Sequence, residues 1–239
     1  MTVTWEELGW ERLAPGVGRC RLPGWDCTVG LVLGAGTALM VDAGSSPAEG
    51  GRLRAAAQRL AGHDVTHLAL THPHFDHVFG TAAFTGAETY AAVGIDAVFA
   101  YERESCARTR SGTACRPRTR TRPSPPSLSR HLVSGEWTLD LGDGRQALLA
   151  NVGPGHTAHD LAVLVPGTPE IVFCGDLVEE SGEPQAGPDA VPSRWPDALD
   201  RLLALGGEDA LYVPGHGAVV DAAFVRRQRD ALAARFGVS

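Results

Sequence analysis

Three imidazoles and one carboxylate fall within six residues in Thr71-His72-Pro73-His74-Phe75-Asp76-His77. Imidazole nitrogen and carboxylate oxygen are the donor set of zinc and similar divalent cations. In an extended segment, residues at i and i+2 point the same way. His72 and His74 can therefore grip one ion, while Asp76 and His77 face a second position close by. A bare surface turn would have no use for three of the chain's nine histidines in one hexad.

A cluster of this kind needs a rigid base. His67-Leu68-Ala69-Leu70, just before it, reads as a short buried strand, so the cluster sits at a strand's C-terminal end, where α/β folds place their chemistry. Three more predicted strands end in metal-competent residues. Gly153-Pro154-Gly155-His156-Thr157 closes a strand over Gln146 to Val152, Gly175-Asp176 follows Ile171 to Cys174, and Pro214-Gly215-His216-Gly217 follows Leu211 to Val213. Glycine beside each ligand lets the backbone approach a crowded ion. The candidate ligands are thus His72, His74, Asp76, His77, His156, Asp176 and His216. They are too many for one tetrahedral zinc and suit two ions that share a bridging carboxylate. Two Zn2+ are the expected cofactors, with iron or manganese as the alternatives in one or both positions. Cys174 is expected to pack in the core. His159 is expected either to contact substrate or to cap its loop. Asp42, at the end of a strand over Thr37 to Val41, is either a supporting group or a structural turn residue.

The remaining elements follow from apolar periodicity and turn residues. Strands are predicted over Val17 to Arg21, Cys27 to Leu33, Thr89 to Ala92, Trp137 to Leu141 and Leu161 to Val165, with an Asp143-Gly144 hairpin turn. Helices are predicted over Ala48 to Leu60, Val78 to Phe84, Asp96 to Tyr101, Trp195 to Leu205 and Asp221 to Phe236. Between Arg103 and Arg130, arginines alternate with Ser, Thr and Pro without an apolar period. This stretch is expected to be a flexible, solvated insertion, with a lid or an anionic-substrate contact as its functional alternative. The whole of 1–239 is otherwise expected to form one domain.

With 44% hydrophobic residues and a net charge of -7, the chain is not expected to bind nucleic acid, which calls for a basic face. No apolar run is long enough to span a bilayer. The N-terminus lacks the basic start and apolar stretch of a signal peptide, and five cysteines without zinc-type pairing read as reduced thiols. The expectation is a cytoplasmic protein acting on a small molecule, of undetermined oligomeric state.

The set Thr71 to His77, Gly155-His156-Thr157, Gly175-Asp176 and Pro214-Gly215-His216-Gly217, in that order, resembles the metallo-β-lactamase superfamily. The resemblance runs from about Val17 to the C-terminus. It implies an α/β fold, a four-layer αββα sandwich of two mixed β-sheets flanked by helices, with a dinuclear site at one edge between the sheets. His72, His74 and His156 would hold the first metal, Asp76, His77 and His216 the second, and Asp176 would bridge them. Asp42 would match the family's supporting aspartate. Aspartate rather than cysteine after Gly175 is similar to the glyoxalase II and lactonase branch. His74 stands where flavodiiron proteins have glutamate. The chain ends soon after His216, without the helical substrate domain of glyoxalase II, which weighs against glutathione thioesters.

The implied chemistry is metal-dependent hydrolysis. Two divalent ions about 3.5 Å apart lower the pKa of a shared water towards roughly 7, and the resulting bridging hydroxide attacks a carbonyl carbon. Asp76 is the catalytic candidate, orienting the nucleophile and passing a proton. The expected substrate is a small ester, thioester or lactone. A mononuclear iron persulfide dioxygenase would use a subset of the same ligands, but His74, His77 and His216 together favour two metals. A phosphodiesterase finds support only in the arginine-rich stretch, and a β-lactamase is disfavoured by the lack of an export signal.

Overall fold

A computed structural model describes residues 3–101 and 130–238, with the side chain of Arg130 excepted. The expected mobile insertion over 103–130 lies outside the described residues, apart from the Arg130 backbone. The first sheet has seven strands in sequence order: β1 (Glu11–Ala14), β2 (Val17–Arg21), β3 (Thr28–Leu33), β4 (Ala38–Val41), β5 (His67–Leu70), β6 (Glu88–Ala92) and β7 (Arg130–Val133). Its first four strands are antiparallel, and β4 to β7 run parallel. The second sheet has the order β12 (Leu211–His216), β11 (Ile171–Glu179), β10 (Ala162–Val165), β9 (Arg145–Ala150) and β8 (Glu136–Gly142). Only β11 and β12 are parallel there.

Helices α1 (Pro47–Ala61), α2 (Phe75–Val78) and α3 (95–101) lie with the first sheet, and α4 (Trp195–Gly206) and α5 (Ala222–Phe236) with the second. Strand alternation sorts the apolar residues into three layers. In β4, Ala38 and Met40 face α1, where Leu53 and Ala57 meet them, while Leu39 and Val41 face the other sheet. Phe173 of β11 reaches across the middle layer onto Gly30 of β3, where a Cβ would clash with its ring. Val172, Cys174 and Tyr212 pack outward against Trp195, Leu199, Leu202 and Leu232. The fold is an αββα sandwich of two mixed sheets.

α1 follows the signals that predict it. Ser46 caps it by accepting from the Glu49 N–H, Pro47 opens its first turn, and Gly62 ends it in left-handed geometry. Asp221 caps α5 in the same way through the Phe224 N–H.

The structure corrects four readings. β11 does not stop at Cys174 but continues to Glu179, so Asp176 lies within a strand rather than in a loop beyond one. Gly175 (φ +53°) absorbs a register shift against β12, and pairing resumes afterwards. β12 likewise runs through Pro214 and Gly215 to His216. A helical turn begins at Phe75, inside the histidine cluster, rather than at Val78. An extended chain would carry Asp76 and His77 away from His72, whereas the turn folds them back. β1 and β7 are edge strands without apolar alternation, which is why periodicity does not show them.

Candidate metal centre

Asp42 (φ +63°), at the end of β4, is the pivot of the site. Its Oδ1 accepts from the Thr71 N–H (2.8 Å), and its Oδ2 accepts from the Thr71 hydroxyl (2.8 Å) and from His77 Nδ1 (2.8 Å). The Thr71 hydroxyl in turn accepts from His72 Nδ1 at 3.0 Å. One buried carboxylate thereby orients His72 and His77 together. Its geometry fits the expected supporting position, since Asp42 holds His77 directly and His72 through the Thr71 hydroxyl, both from behind. Around this pivot the Ala43 N–H bonds the His77 carbonyl, and Gly50 of α1 lies against Gly80 at backbone distance.

The outer nitrogens of two more imidazoles are held by backbone. His156 Nδ1 donates to the Gln185 carbonyl (3.0 Å), and His216 Nδ1 donates to the Trp25 carbonyl (2.9 Å). With Nδ1 carrying the proton, His72, His77, His156 and His216 all turn an Nε2 lone pair inward. His74 is reversed: its Nε2 bonds Asp189 (2.9 Å), and its Nδ1 faces His156 Nε2 at 2.9 Å.

The seven candidate ligands converge in two groups. His72, His74, His156 and Asp176 form one, and Asp76, His77 and His216 the other, with donor atoms inside each group no more than 4.8 Å apart. Asp176 lies between them. Its Oδ2 is 3.6 Å from His72 Nε2, 3.4 Å from His156 Nε2 and 3.3 Å from His216 Nε2, and its Oδ1 is 3.1 Å from His77 Nε2. Asp76 Oδ2 is 3.5 Å from His216 Nε2. The backbone of Gly215 crosses so close to Asp176 that a Cβ there would collide with its carboxylate, so the glycine permits the approach.

These residues fit divalent cations. His72 Nε2, His77 Nε2 and Asp176 Oδ1 are buried without a hydrogen-bond partner among the described residues, a costly arrangement unless something else binds them. Three donor spacings in the first group, 2.9, 3.4 and 3.6 Å, bracket the edge of a tetrahedron with bonds of ~2.05 Å, about 3.3 Å. Electrostatics agree at Asp176, His72 and His156, whereas His77 and His216, both beside Asp176, are held above the usual imidazole range. Burial opposes charge on Asp176, but the surrounding imidazoles of His77, His72 and His216 hold its carboxyl well below the usual range. Burial also pushes the His72 and His156 imidazoles down, towards the neutral form that binds metal.

Asp160 carries structural weight that spacing alone does not announce. It accepts from the N–H groups of Gly155 and Thr157 and from the Thr157 hydroxyl, and so shapes the turn that presents His156. Burial pushes its carboxyl up to about 7 against the pull of those bonds. Thr157-x-x-Asp160 was the available signal, a short polar residue three before a carboxylate. Replacing Asp160 with alanine strands these donors and is expected to cost about 3 kcal/mol, measurable by urea unfolding. His159 does not cap its own loop. Its Nδ1 bonds the Val93 carbonyl (2.9 Å), and its ring covers Gly94. Cys174 packs in the outer layer, as expected, with its thiol on the Val172 carbonyl. At the rim, Trp25 is 58% exposed and stands edge-on to Phe75.

Comparison with known proteins agrees with this geometry. The family model described as the metallo-beta-lactamase superfamily matches residues 22–216. Metallo-beta-lactamase domain-containing protein 1 of Xenopus laevis is 27% identical over 164 residues, 67% of this chain and 57% of that protein. The chain thus aligns with little more than half of that relative's length. The metallo-beta-lactamase of Hirschia baltica superposes with a TM-score of 0.69 at 17% identity, covering 93% of this chain and 96% of that one. That of Pontibacter korlensis gives 0.68 at 21% identity, covering 93% and 97%. At these identities the two structures speak for the fold alone. The family match spans most of the chain, including all seven converging residues: the chain belongs to the metallo-beta-lactamase superfamily, whose members are generally metal-dependent hydrolases.

Proposed function

We propose that this protein is a dinuclear zinc hydrolase that cleaves a small ester, thioester or lactone. The observation that carries the reading is the Asp176 carboxylate lying between two groups of inward-facing donors, some of them buried and unpartnered. His72, His74 and His156 would hold the first metal, Asp76, His77 and His216 the second, and Asp176 would join both. A donor set dominated by imidazole, with no thiolate, suits zinc. Bound there, the ions would supply a hydroxide nucleophile near neutral pH and Lewis-acid help to the developing oxyanion.

The chain's own residues do the rest. Asp42 and Thr71 fix the rings of His72 and His77, so that donors are set before substrate arrives. Asp76, buried beside His216, would orient the attacking group and later pass its proton towards the leaving group. Trp25 and Phe75 give the rim an apolar wall beside His216, suited to the hydrocarbon part of an acyl substrate.

The test is a panel of esters, thioesters, lactones, β-lactams and phosphodiesters, assayed with the zinc-loaded protein. Turnover of one of the first three classes, abolished by a chelator and restored by zinc, is expected. Turnover confined to phosphodiesters or β-lactams, or oxygen uptake with a persulfide, would overturn the substrate assignment.

A further inference from the structure

We propose that Asp189 is a positioning residue that selects the metal-binding nitrogen of His74, acting from a loop that braces both metal positions from outside. The proposal rests on the metal-centre reading above and deepens it.

His74 is the exception among the clustered imidazoles. The other four have Nδ1 engaged by groups close to their own strand or by a fixed carbonyl, and all present Nε2. His74 sits at the start of a helical turn with extended backbone, and its inner edge packs against the rings of His72 and His156, while its outer edge is free to be engaged from the loop beyond. Asp189 Oδ2, 2.9 Å from Nε2, decides which way round the ring lies. A carboxylate accepts only, so the shared proton sits on His74 Nε2 and the lone pair is left on Nδ1, the atom that faces His156 Nε2 and the first metal position. With the ring turned over, Nε2 would point inward, farther from the backbone, and the spacing to His156 would be lost.

The carboxylate is held in place by its loop. Residues 180–191 leave the end of β11 and touch three ligand-bearing segments in turn. The Glu180 N–H bonds the His216 carbonyl (3.0 Å), and its carboxylate accepts from the Ala218 N–H (2.7 Å). The Gln185 carbonyl accepts from His156 Nδ1, and the Val191 N–H bonds the Gly155 carbonyl (2.9 Å). A turn closed by Ala190 N–H on the Gly187 carbonyl (3.1 Å) then presents Asp189. One loop therefore sets the outer bonds of two first-group imidazoles, and only the bond to His74 is made by a side chain. That bond is the one substitution can remove without touching the core, because Asp189 is itself about half exposed.

The test compares wild type, Asp189→Ala and Asp189→Asn, each stripped of metal and titrated with cobalt(II). The d–d absorption reports ligand geometry, and competition with a chromophoric chelator gives each affinity. Wild type is expected to take two ions. Alanine should weaken one of them about ten- to a hundredfold, with an altered spectrum, and leave the other unchanged. Asparagine keeps an acceptor oxygen and should recover most of that loss. Two ions bound equally well by wild type and Asp189→Ala, with identical spectra, would overturn the Asp189 assignment alone, as would an equal weakening of both sites. A wild-type chain that bound no cobalt would overturn the metal-centre reading itself, and the assignment with it.

Discussion

Replacing Asp176 by alanine is expected to abolish hydrolysis and to reduce bound metal from two ions per chain to one or none. Among the described residues, Asp176 is the carboxylate in contact with donors of both groups. His72, His77, His156 and His216 all have Nε2 within 3.6 Å of its two oxygens. Its loss removes one donor from each position together with the negative charge that offsets two cations. If metal-supplied stabilisation of the transition state is about 4 kcal/mol, the rate falls by about a thousandfold. Asp176→Asn is the sharper variant, since it preserves shape beside Gly215 and removes only charge and one strong donor. It should fold normally by circular dichroism and still lose most activity. An Asp176→Asn protein with wild-type turnover and two bound ions would contradict the assignment.

The second large effect is at Asp42, which stands behind the candidate ligands. Alanine there leaves the Thr71 N–H, the Thr71 hydroxyl and His77 Nδ1 without their acceptor, all of them buried. At about 1–3 kcal/mol for each buried group left unpaired, with some relaxation, the expected cost is on the order of 4 kcal/mol. A left-handed backbone that aspartate tolerates better than alanine adds to it. For a chain of this size the melting temperature should fall by roughly 10 °C. Metal affinity should fall as well, because His77 and, through Thr71, His72 lose their orientation. Asp42→Asn can still accept at one oxygen, but it turns an amide N–H toward donors, so an intermediate loss is expected. Calorimetry on metal-free protein separates the two effects. An unchanged melting temperature for Asp42→Ala would show that the hydrogen bonds around Thr71 are not what holds this end of the sheet.

The candidate donors were legible because their chemistry is carried by rare residue types that close apolar runs. His72 to His77, His156, Asp176 and His216 each follow an apolar run that marks a strand, and the four segments converge as their order implied. β2 and β5 begin and end where their apolar pattern does, and the hairpin at Asp143-Gly144 takes the paired left-handed geometry its residues favour. What failed was continuity across glycine. Gly175 and Gly215 read as strand ends, yet parallel pairing between β11 and β12 carries both strands past them. The outer partners were largely invisible for a different reason. Trp25 and Gln185 act through backbone carbonyls, which every residue has, so their types say nothing. Asp189 is one aspartate in a polar loop more than a hundred residues from His74, and only the folded chain brings them together. Asp42 was visible as a candidate because it closes an apolar strand, but its three acceptor bonds were not.

Whether two metal ions share this cluster is decided by the metal content of the protein purified without added metal. Inductively coupled plasma mass spectrometry should find close to two zinc ions per chain in the wild type, with markedly less in Asp176→Asn. One iron and no second metal, in wild type and variant alike, would contradict the dinuclear mechanism and redirect the search toward sulfur oxidation.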